Sequence, residues 1–82
     1  MLSAKIYITL KKTVVDPQGL AIQKGLLSLG FETVTGVRQG KYLEIKLSED
    51  DISSAQAKID EMCQKLLANV IIEDYSFTIE AS

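Results

Sequence analysis

The residues of this chain whose types could do chemistry are the acidic pairs Asp50-Asp51 and Asp60-Glu61 and the single cysteine, Cys63. Paired carboxylates serve as general acid and base when their surroundings push their pKa values apart. Both pairs lie in patterns that predict solvated helix, with no neighbour to separate those values. Cys63 has no histidine to activate it, since the chain contains none, so we expect a small buried hydrophobe. No catalytic residue is predicted.

The composition excludes several other kinds of site. Without histidine there is no Ser-His-Asp triad and no histidine-ligated zinc, and one cysteine leaves no thiolate-only zinc site or intrachain disulfide. Gly36 and Gly40 are predicted to belong to a hairpin rather than a phosphate loop, because no helix begins after them. We therefore expect this chain to bind no metal or cofactor of its own.

The size predicts one domain over residues 1–82 that gains stability by association. Residues 1–47 carry seven basic and three acidic side chains, whereas residues 48–82 carry two and eight. Such asymmetry is typical of complementary faces or of a polyanion-binding end. An isoelectric point near 5.0 argues against nucleic-acid binding. With no signal peptide or membrane-spanning apolar run, a cytoplasmic location without membrane contact is expected.

Hydrophobic periodicity positions four strands and two helices. Alternation predicts a first strand through Ile6, Ile8 and Leu10. Asp16 as N-cap and Pro17 at the first helical position begin a helix that ends at Gly30, and Gly25 within it is expected to pack closely on the sheet. Residues 33–38 and 42–47 are predicted to form a hairpin about Gln39-Gly40. A second helix is expected to begin after Ser48 and to end at Asn69 in a left-handed cap, before a last strand over residues 74–80.

The order β-α-β-β-α-β predicts an α+β, ferredoxin-like fold, in which a four-stranded antiparallel sheet of order 4-1-3-2 carries both helices on one face. The opposite face is then open and displays Tyr7, Thr9, Tyr42, Glu44, Lys46, Ser76 and Thr78. Tyr7 and Tyr42 on central strands allow an RNA-binding hypothesis, which predicts strongly salt-dependent binding. Partner contact is the competing interpretation, since interfacial tyrosines bury the ring and keep a polar tip.

Four separated motifs occur in order along the chain. They are Asp16-Pro17-Gln18-Gly19, then residues 37–44 (VRQGKYLE), then residues 62–69 (MCQKLLAN), then residues 72–75 (IEDY). In these motifs the chain resembles the PurS family, the small subunit of phosphoribosylformylglycinamidine synthase. The resemblance covers essentially the whole chain, and Val70 departs from the proline or threonine expected there.

The resemblance implies a non-catalytic structural subunit of an ATP-dependent amidoligase in de novo purine biosynthesis. That complex converts formylglycinamide ribonucleotide and glutamine to formylglycinamidine ribonucleotide and glutamate. A small subunit of this kind bridges a glutaminase and a large synthetase, assists ammonia transfer between them, and self-associates as a dimer or tetramer. ATP and magnesium belong to the large subunit.

The motif residues in the predicted turns and strand ends are the candidate partner contacts: Arg38, Gly40, Lys41, Tyr42, Asn69, Glu73, Asp74 and Tyr75. A purely structural role also stays open for these residues, because a glycine can serve only to form a turn and an asparagine only to cap a helix. A different class of function also stays open. An ACT-like regulatory module, which binds a small metabolite at a dimer interface, shares this order of elements.

Overall fold

The computed structural model of the protein describes residues 1–81. Its elements are β1 (Leu2–Leu10), α1 (Pro17–Ser28), β2 (Gly40–Leu47), α2 (Ile52–Met62), a π-helical turn (Cys63–Leu67) and β3 (Glu73–Ala81). The strands form an antiparallel sheet in the order β2-β1-β3. The predicted α+β class and the central position of β1 are therefore confirmed.

The core lies between β1 and α2. Ile6 and Ile8 point to the helix side of the sheet and are fully buried. Ile59 and Cys63 of the helix side pack against them and are also fully buried. The inner side chains of the two outer strands are only half-buried, so α2 covers the centre of the sheet and leaves its flanks partly open.

The predicted strand over residues 33–38 is wrong, and the sheet has three strands rather than four within the described residues 1–81. The two valines of this segment, Val34 and Val37, are three positions apart, whereas a half-buried strand needs apolar residues two apart. Both are half-buried, and the carbonyl of Val37 lies against Gly19 of α1. The segment therefore follows α1 back to the sheet as irregular chain.

The first helix does not cover the sheet, so the expectation of two helices packed on one face is also wrong. We call the whole connection between β1 and β2, residues 11–39, the arm. No apolar side chain of the arm is buried, and none joins the core. No atom outside the helix backbone lies within 4 Å of a Cβ built on Gly25, so close packing on the sheet does not explain that glycine.

The helix ends follow local hydrogen bonding. Asp16 caps α1 with Pro17 following, and Gly30 has a φ of 97°, as predicted. The α2 cap is Asp51 rather than Ser48, because the Asp51 carboxylate accepts from the backbone of the first helical turn. The left-handed cap at Asn69 is wrong.

The chain leaves the π-helical turn through extended backbone at Ala68, so no left-handed residue is needed. Asn69 instead closes a turn by accepting the N–H groups of Ile72 and Glu73 on its carbonyl. Within the described residues 1–81, no helix combines the length and hydropathy needed to cross a membrane.

Candidate functional site

Asp16 ties the two ends of the arm together. One carboxylate oxygen accepts the N–H of Gly19 at 2.9 Å and caps α1, while the other accepts the N–H of Gln39 at 2.9 Å, immediately before β2. The hydrogen bond from Gln39, followed by that from Gly19, lowers the pKa of the Asp16 carboxyl below its usual value. The residue is 8% exposed, so this carboxylate is a buried anchor, and each of its two oxygens accepts a backbone hydrogen bond.

Further contacts strengthen the same junction. The guanidinium of Arg38 donates to the carbonyls of Leu10 and Lys11, where β1 ends, and the amide of Gln39 donates to Gln18 at 2.7 Å. We call these contacts, together with those of Asp16, the clasp. The clasp fixes the direction in which the arm leaves the sheet.

Gly40 is required by close approach between strands. It pairs with Thr9, and a Cβ at Gly40 would meet the carbonyl oxygen of Ile8 and lie 2.8 Å from the Thr9 methyl. A side chain at Gly40 would therefore push the start of β2 away from β1.

Two ion pairs lie on either side of the same end of the sheet. Lys41 of β2 lies 3.5 Å from Glu73 of β3, and the other Glu73 oxygen accepts the Asn69 N–H at 2.7 Å. Lys11 lies 3.1 Å from Asp74. The side chains of Lys11 and Asp74 are partly exposed, so their ion pair contributes little to stability. Both side chains remain accessible to a partner.

Tyr75 lies on the helix side of the sheet, in the same row as Lys41, because both residues pair with Ile8 of β1. Its hydroxyl donates to Asp60 at 2.6 Å, and that hydrogen bond raises the pKa of Tyr75 above its usual value. Burial, and then the charge of Asp60, raises the pKa of the Cys63 thiol. A buried thiol with a raised pKa is a poor nucleophile, as the sequence predicted.

Tyr42 lies on the open face of the sheet. Its ring centroid is 5.2 Å from that of Tyr7, and its hydroxyl donates to Glu44 at 3.0 Å. Desolvation, and then that carboxylate, raises the pKa of Tyr42 above its usual value. Lys5 pairs with Glu80 at 2.8 Å on the same face. Mixed charge around an aromatic pair suits a protein partner better than a polyanion.

The structure thus brings six of the eight predicted contact residues to one end of the sheet: Arg38, Gly40, Lys41, Asn69, Glu73 and Asp74. Two shallow cavities, of about 220 and 490 Å³, lie at this end. The other two, Tyr42 and Tyr75, adjoin this end on opposite faces of the sheet, Tyr42 beside Tyr7 on the open face and Tyr75 across Ile8 from Lys41 on the helix side. Sequence reasoning missed the second role of Asp16, because no local pattern shows that a helix cap also holds Gln39 from 23 residues away.

The arrangement offers binding surfaces rather than chemistry. Across residues 1–81, no group of three or more cysteine and acidic side chains is placed to hold a metal ion. The carboxylates at this end of the sheet already accept hydrogen bonds or pair with lysines: Asp16, Glu73 and Asp74. The motif residues therefore hold this chain's own segments in a fixed relation.

The chain matches a family model described as PurS, phosphoribosylformylglycinamidine (FGAM) synthase, over residues 3–81. It is 48% identical to the PurS subunit of phosphoribosylformylglycinamidine synthase of Synechocystis sp. over 77 residues, which are 94% of this chain and 77% of that one.

Two solved structures have the same fold. PurS of Bacillus subtilis aligns with a TM-score of 0.88 at 42% identity, over 99% of this chain and 100% of that one. PurS of Methanocaldococcus jannaschii is described as one of the subunits of formylglycinamide ribonucleotide amidotransferase in the purine biosynthetic pathway. It aligns with a TM-score of 0.88 at 40% identity, over 98% and 96% of the two chains.

Proposed function

The chain belongs to the PurS family of phosphoribosylformylglycinamidine synthase subunits, and from that membership we propose that it is the structural subunit of this amidoligase in purine biosynthesis. In the proposed complex it bridges a glutaminase subunit and a large ATP-dependent synthetase subunit. Formylglycinamide ribonucleotide, glutamine and ATP are then consumed by those partners. ATP and magnesium are held by the large subunit, and a cytoplasmic location belongs to the same proposal.

The observation that carries this proposal is that the residues of the family motifs bind groups of their own chain. Asp16 and Arg38 bind backbone groups of their own chain, and Lys41 pairs with Glu73 across the sheet. These residues fix a shape and present no activated nucleophile or base. A subunit of fixed shape without chemistry of its own is suited to hold two enzymes in register.

A held geometry matters because ammonia is the intermediate. Ammonia released into bulk water is protonated and diffuses away, and the ammonium ion is not a nucleophile. Two separate active sites therefore need a fixed relation and a passage that excludes bulk water. A scaffold can supply both without a catalytic residue, and we include assistance to ammonia transfer, with self-association as a dimer or tetramer, in the proposal.

Reconstitution tests the proposal. The glutaminase and synthetase are purified, and formylglycinamidine ribonucleotide formation is measured with and without this chain. We expect glutamine-dependent synthesis to fall at least tenfold when the chain is omitted. Synthesis from added ammonium salt should persist, because the synthetase site itself is complete.

Two outcomes would contradict the proposal. Glutamine-dependent synthesis that is unchanged without the chain would remove its role as a bridge. Thermal stabilisation of the isolated chain by an amino acid or nucleotide, with no effect on synthesis, would favour the regulatory-module hypothesis instead.

A further inference from the structure

Two basic side chains lie without an acidic partner at the end of the sheet that carries the clasp, which we call the clasp end. Five of the eight lysines form ion pairs with carboxylates, among them Lys11 with Asp74 at 3.1 Å. Within the described residues 1–81, no carboxylate forms such a pair with Lys12 or Arg38. Each of these two cations therefore retains its attraction for an anion from outside the chain.

Both unpaired cations line the same cavity, which we call the basic cavity. It has a volume of about 490 Å³ and is lined by Thr9, Leu10, Lys12, Arg38 and Asp74. Lys11 neutralises Asp74, so positive charge is in excess around the cavity. Buried Asp16 is also close to Arg38, but its two oxygens accept backbone N–H groups and neither pairs with the guanidinium. The excess of positive charge remains even when Asp16 is counted, and the cavity favours a negatively charged group.

Arg38 is held in position without any ligand. Its Nη2 atom donates to the carbonyls of Leu10 and Lys11, which fixes the guanidinium at the end of β1. In the part of the chain from residue 1 to residue 81, Nε and Nη1 donate to no acceptor, so three N–H groups remain for a ligand. A guanidinium that is already fixed loses little conformational freedom on binding. Its remaining donors suit the oxygens of a carboxylate or a phosphate group.

The weakness of exposed ion pairs decides which anion can use the basic cavity. An exposed ion pair strengthens binding by about fivefold at most, and Lys12 and Arg38 are both exposed. Two such pairs would hold a free carboxylate or phosphate only at concentrations above about 10 mM. The same group on a protein draws its affinity from the rest of the interface, and the two cations then contribute orientation and a faster encounter.

We propose that the basic cavity receives an acidic side chain of a partner subunit, which Lys12 and Arg38 bind together. This contact rests on the proposed function, since it requires a partner subunit, and it adds the chemistry by which that subunit is recognised. Lys12 lies outside all four sequence motifs, so the motifs alone do not point to it. The cavity and the absence of an acidic partner for Lys12 within residues 1–81 do.

The first experiment measures capture of the purified glutaminase and synthetase by the tagged chain at low and at high salt. Lys12→Glu should weaken capture by about fivefold or more at low salt, because repulsion replaces attraction, and by less at high salt, where exposed charges are screened. Lys12 is chosen in preference to Arg38, because a substitution of Arg38 would also break the clasp.

Lys65→Glu is the matched control. It makes the same change of charge on a side chain that is 73% exposed, and Lys65 lies beside Ile45 rather than at the clasp end. Its exposed pair with Glu61 contributes little to stability, so capture should be unchanged. If the wild type is captured and both variants behave alike, the acidic contact is wrong while the bridging role stands. If the wild type itself is not captured, the proposed function fails as well.

The second experiment identifies the contact in the wild-type complex. A carbodiimide joins a lysine amine directly to a carboxylate in contact with it, with loss of water, and mass spectrometry of the peptides locates the link. We expect Lys12 to be joined to an aspartate or glutamate of a partner subunit. Lys11 and Asp74, 3.1 Å apart, should be joined within the chain and are the internal control. A link from Lys11 to Asp74 without any link from Lys12 to a partner contradicts the proposal.

A free anion is the alternative occupant of the basic cavity. Sodium phosphate at about 10 mM should leave the thermal unfolding midpoint of the isolated chain unchanged, relative to sodium chloride of equal ionic strength. Stabilisation by phosphate that disappears in Lys12→Glu would show that the cavity serves a free anion, and would overturn the assignment to a partner's side chain.

Discussion

At the scale of the residue, the most informative side chains are those whose hydrogen bonds join two segments of the chain. Asp16 is both a helix cap and the acceptor for Gln39, so one carboxylate joins the two ends of the arm, as the side chains of Arg38 and Gln39 also do. Hydrogen bonds to a charged acceptor are stronger than those between neutral groups. The ionised form of Asp16 therefore contributes to the direction of the arm, together with the other contacts of the clasp.

Asp16→Asn should lower the midpoint of thermal unfolding by several degrees at pH 7, because an amide N–H₂ would face one of the two backbone donors. The pKa of Asp16 is lowered in the folded chain, so its contribution is present above the unfolded value near 3.8 and is lost as the pH falls through the folded value. The difference between wild type and variant should accordingly be constant from pH 7 to about 5 and shrink below 3.8. Glu32→Gln, on the exposed part of the arm, is the control. A difference that grows on acidification would contradict this assignment.

At the scale of the element, structure was predicted correctly from the sequence where hydrophobic periodicity and tertiary packing agree. Ile6 and Ile8 alternate on β1 and are fully buried, and Ile59 falls on the predicted stripe of α2. The strand prediction over residues 33–38 was wrong because threonine and valine favour strands locally, whereas in the structure this segment contacts α1 through the Val37 carbonyl. Tertiary packing decides whether such a segment pairs with the sheet or lies along a helix, and hydrophobic alternation in the sequence does not show which of the two occurs.

The same reasoning explains what could be known of the candidate site. The motif positions could be located from their order, and six of them do meet at one end of the sheet. Their bonding could not be known, because Arg38 reaches carbonyl groups 27 and 28 residues away. The exposure of α1 could not be predicted either, because an apolar helix predicts burial whereas its apolar side chains are exposed in this chain.

The attachment of α2 to the sheet can be tested with two isoleucines of the same helix. Ile59→Ala should lower the free energy of unfolding by about 2–5 kcal/mol, because Ile59 is fully buried against β1 and a cavity remains. Ile52→Ala should cost less than about 1.5 kcal/mol, since Ile52 is 51% exposed. Urea unfolding followed by circular dichroism measures both. Equal losses would show that the core does not lie where α2 crosses β1.

At the scale of the whole molecule, the chain offers three separate surfaces. The arm exposes apolar side chains, the open face with Tyr7 and Tyr42 is mixed in charge, and the clasp end presents ion pairs at its rim. Separate surfaces are what a bridging subunit needs, because contact with one partner must not displace another. The clasp end is the surface to which the family motifs belong.

A substitution at Lys41 can distinguish a structural role of the clasp end from a partner-binding role, because Lys41 pairs with Glu73 and is also a predicted partner contact. Lys41→Glu should weaken capture of the glutaminase and synthetase by the tagged chain, by about tenfold or more. The swapped variant, Lys41→Glu with Glu73→Lys, restores the intrachain pair and reverses both charges toward a partner, but it loses the Glu73 oxygen that accepts the Asn69 N–H. Its stability is therefore compared with that of Glu73→Lys alone. If Lys41 contacts a partner, the swap leaves assembly weak although it is more stable than Glu73→Lys. If the swap restores assembly together with stability, Lys41 acts only within its own chain, and the contact prediction at this residue is wrong.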